Sequence, residues 1–283
     1  MRWRERAVDV LFLGPFLLFI TAFLVVPTLG LFAQAVTTKH GFSLAPLATI
    51  WHDSHLVAFR NSIEVSLLSA LVGAAGGGIA AWLTLAPGMP RWVRALVSTF
   101  SAVAANFAGV PLAFAFISTL GTLGVITAML KSIGFDIYAA GFSLFHIEGL
   151  VLVYAYFQIP LMLIVITPAL EGLRREWREA AESLGASTWQ FWRHVGLPVL
   201  LPSLLSAAIL LFGNAFSAYA TPYALTAGNL PLVPIDISNV LSGNVSLSPS
   251  QGAALACGMI AVMVVAMLLY GVLARRAGKW RTR

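Results

Sequence analysis

Residues 149–198 read GLVLVYAYFQIPLMLIVITPAL and then EGLRREWREAAESLGASTWQFWRHVGLP. The first stretch, 149–170, has no charged side chain, and about 20 mainly apolar residues are enough for a helix that crosses a bilayer. The second stretch, 171–198, carries four of the eleven acidic residues of the chain and is too polar to cross. This alternation of an apolar span with a polar connection decides the fold, and it recurs along the chain.

The composition of the whole chain excludes a soluble protein. Of its 283 residues, 59% are hydrophobic and 10% are charged, whereas an average globular domain has about 25% charged residues. So few charged side chains cannot cover the apolar residues of a soluble chain of this length. The single cysteine, Cys257, excludes an internal disulfide and a multi-cysteine metal site. Its apolar neighbours predict a packing role.

Six charge-free intervals are long enough to span a membrane. Trimmed at proline, glycine and polar clusters, they predict helices near 11–33, 62–85, 95–119, 149–170, 198–220 and 252–274. The first interval could instead be a cleaved signal peptide, since three arginines precede it. We favour a retained helix, because the run exceeds the roughly 7–15 residues of a signal-peptide core and lacks a clear cleavage site. The predicted fold class is an all-α integral membrane protein with six transmembrane helices.

The basic residues predict the orientation of these helices, because Lys and Arg concentrate in cytoplasmic loops. With the N-terminus inside, fourteen of the seventeen basic residues are cytoplasmic: Arg2, Arg4, Arg6, Arg91, Arg94, Arg174, Arg175, Arg178, Arg193, Arg275, Arg276, Lys279, Arg281 and Arg283. Lys39, Arg60 and Lys131 remain outside. Both termini are therefore predicted to be cytoplasmic. The net charge of +6 is explained by topology and by contact with anionic membrane lipid, so we expect no nucleic-acid partner.

Polar residues are also grouped in the two predicted outer loops, 34–61 and 120–148. The first holds His40, His52, Asp53 and His55, and the second holds Lys131, Asp136, His146 and Glu148. Neither has the regular spacing of a metal site. We therefore expect solvated loops and no metal.

The polar segment 171–198 has the pattern of a bent amphipathic element. One helical face carries Leu173, Trp177, Ala180, Ala181 and Leu184, and the other carries Arg175, Arg178, Glu179 and Glu182. Gly185 is suited to a left-handed helix stop, and Ser187 with Gln190 fits a capping box that starts a second short helix. Pro198 marks the start of the next membrane helix. From the residues alone, the element either rests on lipid headgroups or docks a cytoplasmic partner.

One spacing within this segment resembles a known motif. Glu179-Ala180-Ala181 is followed after three residues by Gly185, after nine more by Val195, and after one more by Leu197-Pro198. This is similar to the cytoplasmic signature of the membrane subunits of binding-protein-dependent ABC importers, in which Ile stands where this chain has Val195. The resemblance covers roughly 60–275, with the entry to the second helix at 60–62 and the tight turn at 87–91 also similar to that family.

The resemblance implies a type I importer transmembrane domain in the bacterial inner membrane. It divides the chain into 1–60 (tail, first helix and outer loop), 61–275 (transmembrane domain with the coupling segment 171–198) and 276–283 (basic tail). Within it, 179–187 would be the coupling helix, seated in a groove of a separate ATPase subunit. The coupling residues would be Glu179, Ala180, Ala181, Glu182, Gly185, Ala186, Ser187, Leu197 and Pro198. A second, different permease and an extracytoplasmic substrate-binding protein would be further partners.

The chain has no phosphate-binding loop of its own. In the only Gly-Lys pair, Gly278-Lys279, the next residue is Trp280, and Leu273 stands where the first glycine is required. We therefore expect a non-catalytic subunit without a cofactor, with ATP bound by a partner chain.

Polar side chains inside apolar spans mark candidate positions along a substrate path, since each is costly unless it faces protein or water. The candidates are Asn106, Tyr154, Tyr156, Gln158, Asn214, Ser217 and Tyr219. Hydrogen bonding between helices is the alternative role for each of them. Gly73, Gly76, Gly77 and Gly78 predict a close-packing surface, within this chain or against a second permease.

Two other classes of membrane protein fit less well. An ion-coupled transporter or channel predicts paired intramembrane carboxylates or inverted repeats, and an intramembrane hydrolase predicts a His-Glu-x-x-His or Gly-x-Ser-x-Gly motif. The chain has none of these patterns. The substrate is open: the outer segment 220–251 resembles polyamine (spermidine/putrescine) permeases more than sugar permeases, so a polyamine-like or other small polar solute is expected, with a sugar as the alternative.

Overall fold

The computed structural model describes residues 13–38, 41–51, 53–86, 88–242 and 249–278. Its helices are α1 (Leu13–Ala35, with a π turn at Thr21–Val25), α2 (Ala45–Ala48), α3 (Asp53–Thr84), α4 (Arg91–Asn106), α5 (Val110–Leu120), α6 (Val125–Ser132), α7 (Ile147–Glu171), α8 (Arg175–Ser183), α9 (Thr188–Phe191), α10 (Leu197–Phe216), α11 (Ala220–Thr226), α12 (Val233–Ser242) and α13 (Pro249–Gly278). Two short antiparallel strands, β1 (Thr37–Thr38) and β2 (Gly41–Phe42), pair Thr37 with Phe42.

Some residues used in the sequence predictions lie outside the described residues. They are Arg2, Arg4, Arg6, Lys39, His40, His52, Pro87, Lys279, Trp280, Arg281 and Arg283. The side chains of Asp53, Arg275 and Arg276 are likewise not described.

Six helical segments in the described residues are long and apolar enough to cross a membrane, which confirms the predicted fold class. They are Leu13–Ala35, Ser54–Thr84, Val110–Ser132, Ile147–Glu171, Thr188–Phe216 and Pro249–Leu273. Five of them overlap the corresponding predicted helices over most of their length, while the third does not.

The third predicted helix, 95–119, is wrong as a continuous helix. It is interrupted at Phe107–Gly109, between α4 and α5. Gly109 has a φ of 78°, which lies outside the helical region and is strongly disfavoured for a residue with a Cβ. Pro111, in the first turn of α5, has no N–H to donate to the preceding turn. The pair of residues therefore ends one helix and starts another.

Two further boundaries correct the predictions. Helix α3 begins at Asp53 rather than near 62, so Glu64, expected near its outer end, lies about three turns inside it. Helix α10 ends at Phe216 rather than near 220. Ser217 and Tyr219, which were expected within that helix, therefore lie in the connection to α11.

Helix α7 is the most buried of the six candidate spans. Its side chains join two apolar clusters. One contains Leu150, Val153, Tyr154 and Phe157 with Leu112 and Ala215, and the other contains Met162, Leu163 and Ile166 with Ala207 and Leu211. Helices α4 and α10 both pack against α7. Because both faces of α7 contact protein, it reads as a nearly continuous apolar run rather than as an amphipathic helix.

The glycines of α3 let that helix approach α7 closely. A Cβ on Gly73 would lie 2.7 Å from Gln158 Cβ, and one on Gly77 would lie 2.5 Å from Met162 Cβ. Gly76 also faces Ile159, whereas a Cβ on Gly78 would have no atom within 4 Å. The predicted close-packing surface therefore belongs to the interior of this chain at Gly73, Gly76 and Gly77. Gly78 points to open space.

The chain divides into two compact units. One comprises residues 1–56 and 236–262. Within it Ala35, Ala253, Ala254 and Cys257 form a small buried cluster, in agreement with the packing role predicted for the cysteine. In the same unit His55 Nδ1 lies 3.1 Å from Asp236 Oδ2. The predicted division at 60 and 275 follows the resemblance rather than this clustering and stays a prediction.

The second unit, residues 57–235 and 263–283, brings together segments that the charge distribution assigns to one side of the membrane. Gly88, Met89 and Arg94 line one cavity together with Arg174, Arg175 and Arg178. Elsewhere in the unit, Asn61 Nδ2 donates to Pro231 O at 3.1 Å. Both of those segments were predicted to lie on the outer side.

Asp136 stabilises the connection between α6 and α7, which was predicted to lie on the outer side. Its Oδ1 accepts from the backbone N–H groups of Tyr138 and Ala139 at 3.0 and 3.1 Å, and its Oδ2 lies 3.2 Å from Lys131 Nζ. The N–H of Ala139, followed by the Lys131 ammonium, holds the pKa of this carboxyl below its ordinary value. The loop is thus locally ordered by its own side chains.

The contact of α3 with α7 generates a prediction with an adjacent control. Gly77→Ala is expected to destabilise the protein by about 1–3 kcal/mol, because the new methyl group overlaps Met162 and the backbone of Ile159. Gly78→Ala should be neutral or slightly stabilising, because its methyl meets no atom and alanine favours a helix. Thermal unfolding of both variants in detergent measures the difference. Equal midpoints would contradict the packing described.

Candidate functional site

The polar segment after α7 folds into a short, exposed helix. Arg175 Nε lies 3.0 Å from Glu179 Oε1 and Arg178 Nε lies 2.9 Å from Glu182 Oε1, each four residues apart. Such pairs support a helix along one face. Ser183 Oγ donates to Glu179 O at 2.9 Å. Two residues of the predicted coupling motif, Glu179 and Glu182, are thus held by arginines of the same helix.

The end of α8 is a complete Schellman turn. The N–H of Ala186 donates to Ala181 O at 3.0 Å and the N–H of Gly185 donates to Glu182 O at 2.9 Å. Gly185 has a φ of 76°, the left-handed conformation that this turn requires and that glycine adopts without steric cost. The helix stop predicted at Gly185 is confirmed. A Cβ there would have no atom within 4 Å, so the exposed side of the turn is not covered by other residues of the chain.

The second short helix, α9, starts with the predicted capping box. Gln190 N donates to Ser187 Oγ at 3.3 Å, and Ser187 N donates to Gln190 Oε1 at 2.7 Å. A π turn, Trp192–Gly196, then leads directly into α10 with Pro198 in its first turn. The candidate membrane span therefore begins at Thr188 rather than at Pro198 as predicted, because the helix continues through the π turn without a break.

The boundaries of the predicted coupling helix need a correction. The helix runs over Arg175–Ser183 rather than 179–187, because Gly185 ends it and the extended Arg174 begins it. Glu179, Ala180, Ala181 and Glu182 therefore occupy its second half. Gly185, Ala186 and Ser187 form the turn, and Leu197 and Pro198 begin α10. The motif thus spans a helix, a tight corner and the next helix.

Two large apolar side chains close to Gly185 are exposed. Leu184 is 88% exposed and Trp189 is 72% exposed, while Trp177 is half-buried and Phe191 is buried. The sequence predicted one shared face for Leu173, Trp177, Ala180, Ala181 and Leu184. The rest of the chain thus covers only some of these side chains. An apolar side chain exposed on a polar helical corner is suited to contact with another protein or with lipid.

Two of the seven path candidates lie inside the bundle. Tyr154 and Gln158 are buried among the side chains of the chain itself. Gln158 Nε2 donates to Ser69 Oγ at 2.9 Å, and Ser66 Oγ in turn donates to Ser62 O at 2.5 Å. Ser62 Oγ accepts from Val233 N at 2.9 Å. In this structure Gln158 connects α7 to α3, and Tyr154 packs within the apolar cluster that contains Leu112 and Ala215.

The other candidates lie near the interruption between α4 and α5. Gly109 N donates to Thr221 Oγ1 at 2.8 Å, which ties this interruption to the start of α11. Asn106, Asn214, Ser217 and Tyr219 are exposed or partly exposed, and Tyr156 lies edge-on to Phe107 and Phe116. Tyr219 stacks on Tyr223 with ring centroids 5.2 Å apart. Asn106, Ser217 and Tyr219 are thus exposed within four residues of the hydrogen-bonded pair Gly109 and Thr221.

Several residues that build these sites were not predicted from the sequence. Thr221 was noted only as part of an outer segment, and its bond to Gly109 joins residues 112 positions apart, which no local pattern reveals. Ser62, Ser66 and Ser69 are buried at helical spacing on α3. That spacing was a usable signal for a polar stripe facing another helix.

Comparison with known proteins places this arrangement in a family. Residues 73–279 match the family described as "Binding-protein-dependent transport system inner membrane component". The chain belongs to this family.

Similar proteins agree with this assignment. A probable sulfate transport system permease protein of Helicosporidium sp. subsp. Simulium jonesii is 24% identical over 253 residues, 87% of each chain. The thiamine transport system permease protein of Escherichia coli (strain K12) is 30% identical over 115 residues, 41% of this chain and 21% of that protein. The fold matches a bacterial alginate ABC transporter crystallised with an alginate pentasaccharide-bound periplasmic protein, with a TM-score of 0.72, 21% identity and 97% of each chain covered.

The family assignment confirms several predictions. The chain is a type I ABC importer permease, a multi-pass inner-membrane protein and a non-catalytic subunit whose ATPase is a separate chain. The polyamine specificity expected from segment 220–251 finds no support, because the similar permeases named above serve sulfate and thiamine.

The junction of α5 with α11 generates a prediction about the permease. Thr221→Val should lower stability by about 0.5–1.5 kcal/mol, because the N–H of half-buried Gly109 loses the Thr221 hydroxyl as its acceptor. Thr226→Val is the matched control: Thr226 is also buried on α11, but its hydroxyl bonds only to Pro222 O of the same helix. Thermal unfolding should show a clearly larger loss for Thr221→Val. Indistinguishable variants would mean that this hydrogen bond does not hold the junction.

Proposed function

We propose that this permease receives force from ATPase subunits through residues 171–198 and moves a small polar solute along a path shared with a second, different permease. ATP binds to the partner subunits, and this chain carries no cofactor. A binding protein outside the membrane delivers the solute. The observation that carries the proposal is the rigid corner at Gly185, whose outer side is open.

The corner is suited to docking because its shape is fixed before any partner arrives. The Schellman turn at Gly185 and the capping box at Ser187 satisfy the backbone groups at both helix ends. A preordered element loses little conformational entropy on binding. The residues assigned to ATPase coupling are Glu179, Ala180, Ala181, Glu182, Gly185, Ala186, Ser187, Leu197 and Pro198. Exposed Leu184 would add apolar contact beside them.

The helix continues without a break from this corner into the membrane. Helix α9, the π turn and α10 form one uninterrupted helical run, Thr188–Phe216, and α10 packs against the central helix α7. A displacement of the corner would therefore move α10 with it, as one rigid helix. Closure of two ATPases on ATP would draw two such corners together and rock the permease pair from inward-facing to outward-facing, a rigid-body transition.

The orientation we propose has both termini in the cytoplasm. Fourteen of the seventeen basic residues then lie inside, as Lys and Arg do in short cytoplasmic loops. The shared cavity of the 85–94 turn and the 171–192 segment supports this, since both segments would lie on the same side.

For the translocation path we propose the accessible polar surface around Gly109 and Thr221. Asn106, Tyr156, Asn214, Ser217 and Tyr219 would face the path or the second permease. Tyr154 and Gln158, although their polarity in an apolar span predicts a place on the path, would act in helix packing unless the helices separate during transport. Interrupted helices are common at transport sites, since their ends offer unpaired backbone groups to a solute.

A small oxyanion of the sulfate class is the substrate we propose first. The sulfate permease relative matches 87% of both chains, whereas the thiamine permease matches 21% of its own length. None of the seven path candidates is acidic, and a polyamine or another cation would be expected to face carboxylates. Amide and hydroxyl groups can donate to an oxyanion.

The coupling proposal predicts the effect of filling the corner. Gly185→Trp should abolish transport and substrate-stimulated ATPase activity, because the side chain would project into the space that the ATPase occupies. Gly185→Asn should still fold, since asparagine tolerates the left-handed conformation, and should couple weakly. Both activities are measured in liposomes with the assembled transporter, and membrane insertion is checked by fractionation.

Gly134→Trp is the matched control for this experiment. Gly134 has a φ of 89°, and a Cβ at this position would also have no atom within 4 Å, but the residue lies in the connection between α6 and α7. Its variant should insert and transport like the parent. Full transport by Gly185→Trp, or an equal loss in Gly134→Trp, would count against the coupling role.

The substrate proposal predicts the outcome of a competition experiment. Proteoliposomes with the complete transporter and its binding protein should take up labelled sulfate, and excess unlabelled sulfate should suppress uptake while thiamine, putrescine and maltose should not. Mass spectrometry of the ligand bound to the co-purified binding protein provides an independent reading. An organic cation or a sugar in that binding protein would refute the oxyanion class without affecting the coupling role.

A further inference from the structure

An apolar cavity of about 610 Å³ lies where α3, α7 and α10 meet the short helix α9. Its wall is formed by large apolar side chains and by two small residues of α3. The lining includes Gly78, Ile79, Trp82, Leu170, Trp189 and Leu204. The cavity is therefore an apolar groove between candidate membrane helices that ends at α9.

A second cavity, of about 1000 Å³, adjoins the first and has both apolar and charged side chains in its lining. Arg94, Arg174, Arg175 and Arg178 line it, with Glu179 and Glu182 as the acidic lining residues. Each glutamate is paired with an arginine of its own helix, and Arg174 Nε lies 3.6 Å from Glu176 Oε2. Among the described residues, no carboxylate lies within the 4.0 Å of an ion pair with Arg94, whose Nε donates to Thr84 O at 3.3 Å. The cavity thus has an excess of positive charge.

The two cavities share part of their wall. Trp82, Leu170, Thr188 and Trp192 line both, and the rings of Trp82 and Trp192 meet edge-on with centroids 6.3 Å apart. Tryptophan prefers the boundary between the hydrocarbon and the headgroups of a bilayer. The apolar cavity and the arginine-lined cavity therefore meet at Trp82 and Trp192.

We propose that the two cavities together bind one anionic phospholipid. An acyl chain would lie along the apolar cavity, and the phosphate would lie among the arginines of the basic cavity, with Arg94 as its main partner. Guanidinium groups bind phosphate through charge-assisted hydrogen bonds. The occupant is a lipid rather than a free anion because the basic cavity opens onto an apolar one. The inference rests on the proposed orientation, which puts the headgroup in the cytoplasmic leaflet, where anionic lipids attract basic segments.

The bound lipid would connect two parts of the permease that are distant in sequence. Arg94 follows the turn after α3, and Arg174, Arg175 and Arg178 belong to the segment that carries the coupling corner. A phosphate held between them would brace α8 against the turn at 85–94. The anionic lipid content of the membrane would thereby set how firmly the coupling corner is positioned.

Native mass spectrometry and a lipid titration of the full-length chain, purified with the subunits that remain bound, test this inference. The protein is placed in nanodiscs of phosphatidylcholine with increasing phosphatidylglycerol. We expect preferential retention of phosphatidylglycerol and a roughly tenfold loss of that preference in Arg94→Gln, since a charged hydrogen bond is worth about 1.5–3 kcal/mol. Arg94→Lys should restore part of it.

Arg91→Gln is the matched control for charge. Arg91 is an exposed arginine of the same short turn, is on the same predicted side and does not line the cavity, so its variant should keep the preference. Gly78→Leu tests the apolar cavity, which its side chain would fill, against Gly271→Leu, whose glycine likewise has no atom within 4 Å of a Cβ. Only Gly78→Leu should lower lipid retention.

Three outcomes would overturn the inference. They are equal retention of the two lipids, equal losses in the Arg94 and Arg91 variants, and displacement of the signal by soluble glycerol 1-phosphate, which would indicate a free-anion site. Lipid retention is measured without transport or ATP. A failure of the coupling proposal would therefore leave this result intact, and a failure of lipid binding would leave the Gly185 variants informative.

Discussion

The structure depends on one constraint: in hydrocarbon, each backbone N–H and C=O group must find its partner within the protein. Long helices meet this constraint along their length, but an interrupted helix does not. At the gap between α4 and α5, the N–H of Gly109 is satisfied by the hydroxyl of Thr221. This bond permits an irregular stretch of backbone among the spanning helices. It also places the exposed polar residues of two helix ends side by side, which a pair of continuous helices would not do.

The same need to pair backbone groups explains why the corner at Gly185 has a definite shape outside the helix bundle. Helix α8 ends and α9 begins within five residues, and the Schellman turn and the capping box pair the groups that both ends would otherwise leave open. From Thr188 onward the chain is helical through to Phe216. No flexible loop separates the corner from α10. A force applied to the corner would therefore be transmitted to α10 without being lost in loop motion.

Local rules account for what could be predicted from the sequence. The stop at Gly185 and the cap at Ser187 each depend on residues within a few positions, so their patterns are visible in the chain. Five of the six spans follow from length and polarity alone. The break at Gly109 was missed because 95–119 has no charged residue and was treated as one span. Gly109 and Pro111 were a usable local signal, whereas the partner Thr221 is far along the chain. The burial of Gln158 was equally hidden, since a polar residue in a span has the same pattern whether it faces Ser69 or a solute.

The charges of α8 have a physical consequence for docking. The pairs of Arg175 with Glu179 and of Arg178 with Glu182 are largely exposed, and each such pair stabilises a helix by only about 0.3–0.5 kcal/mol. The helix is therefore positioned by its backbone turn and by half-buried Trp177, and not by its ion pairs. A partner can then exchange these pairs for contacts of its own at little cost in free energy. Because the apolar residues Leu184 and Trp189 are already exposed, contact with a protein surface there would add burial without first disrupting the fold of the corner.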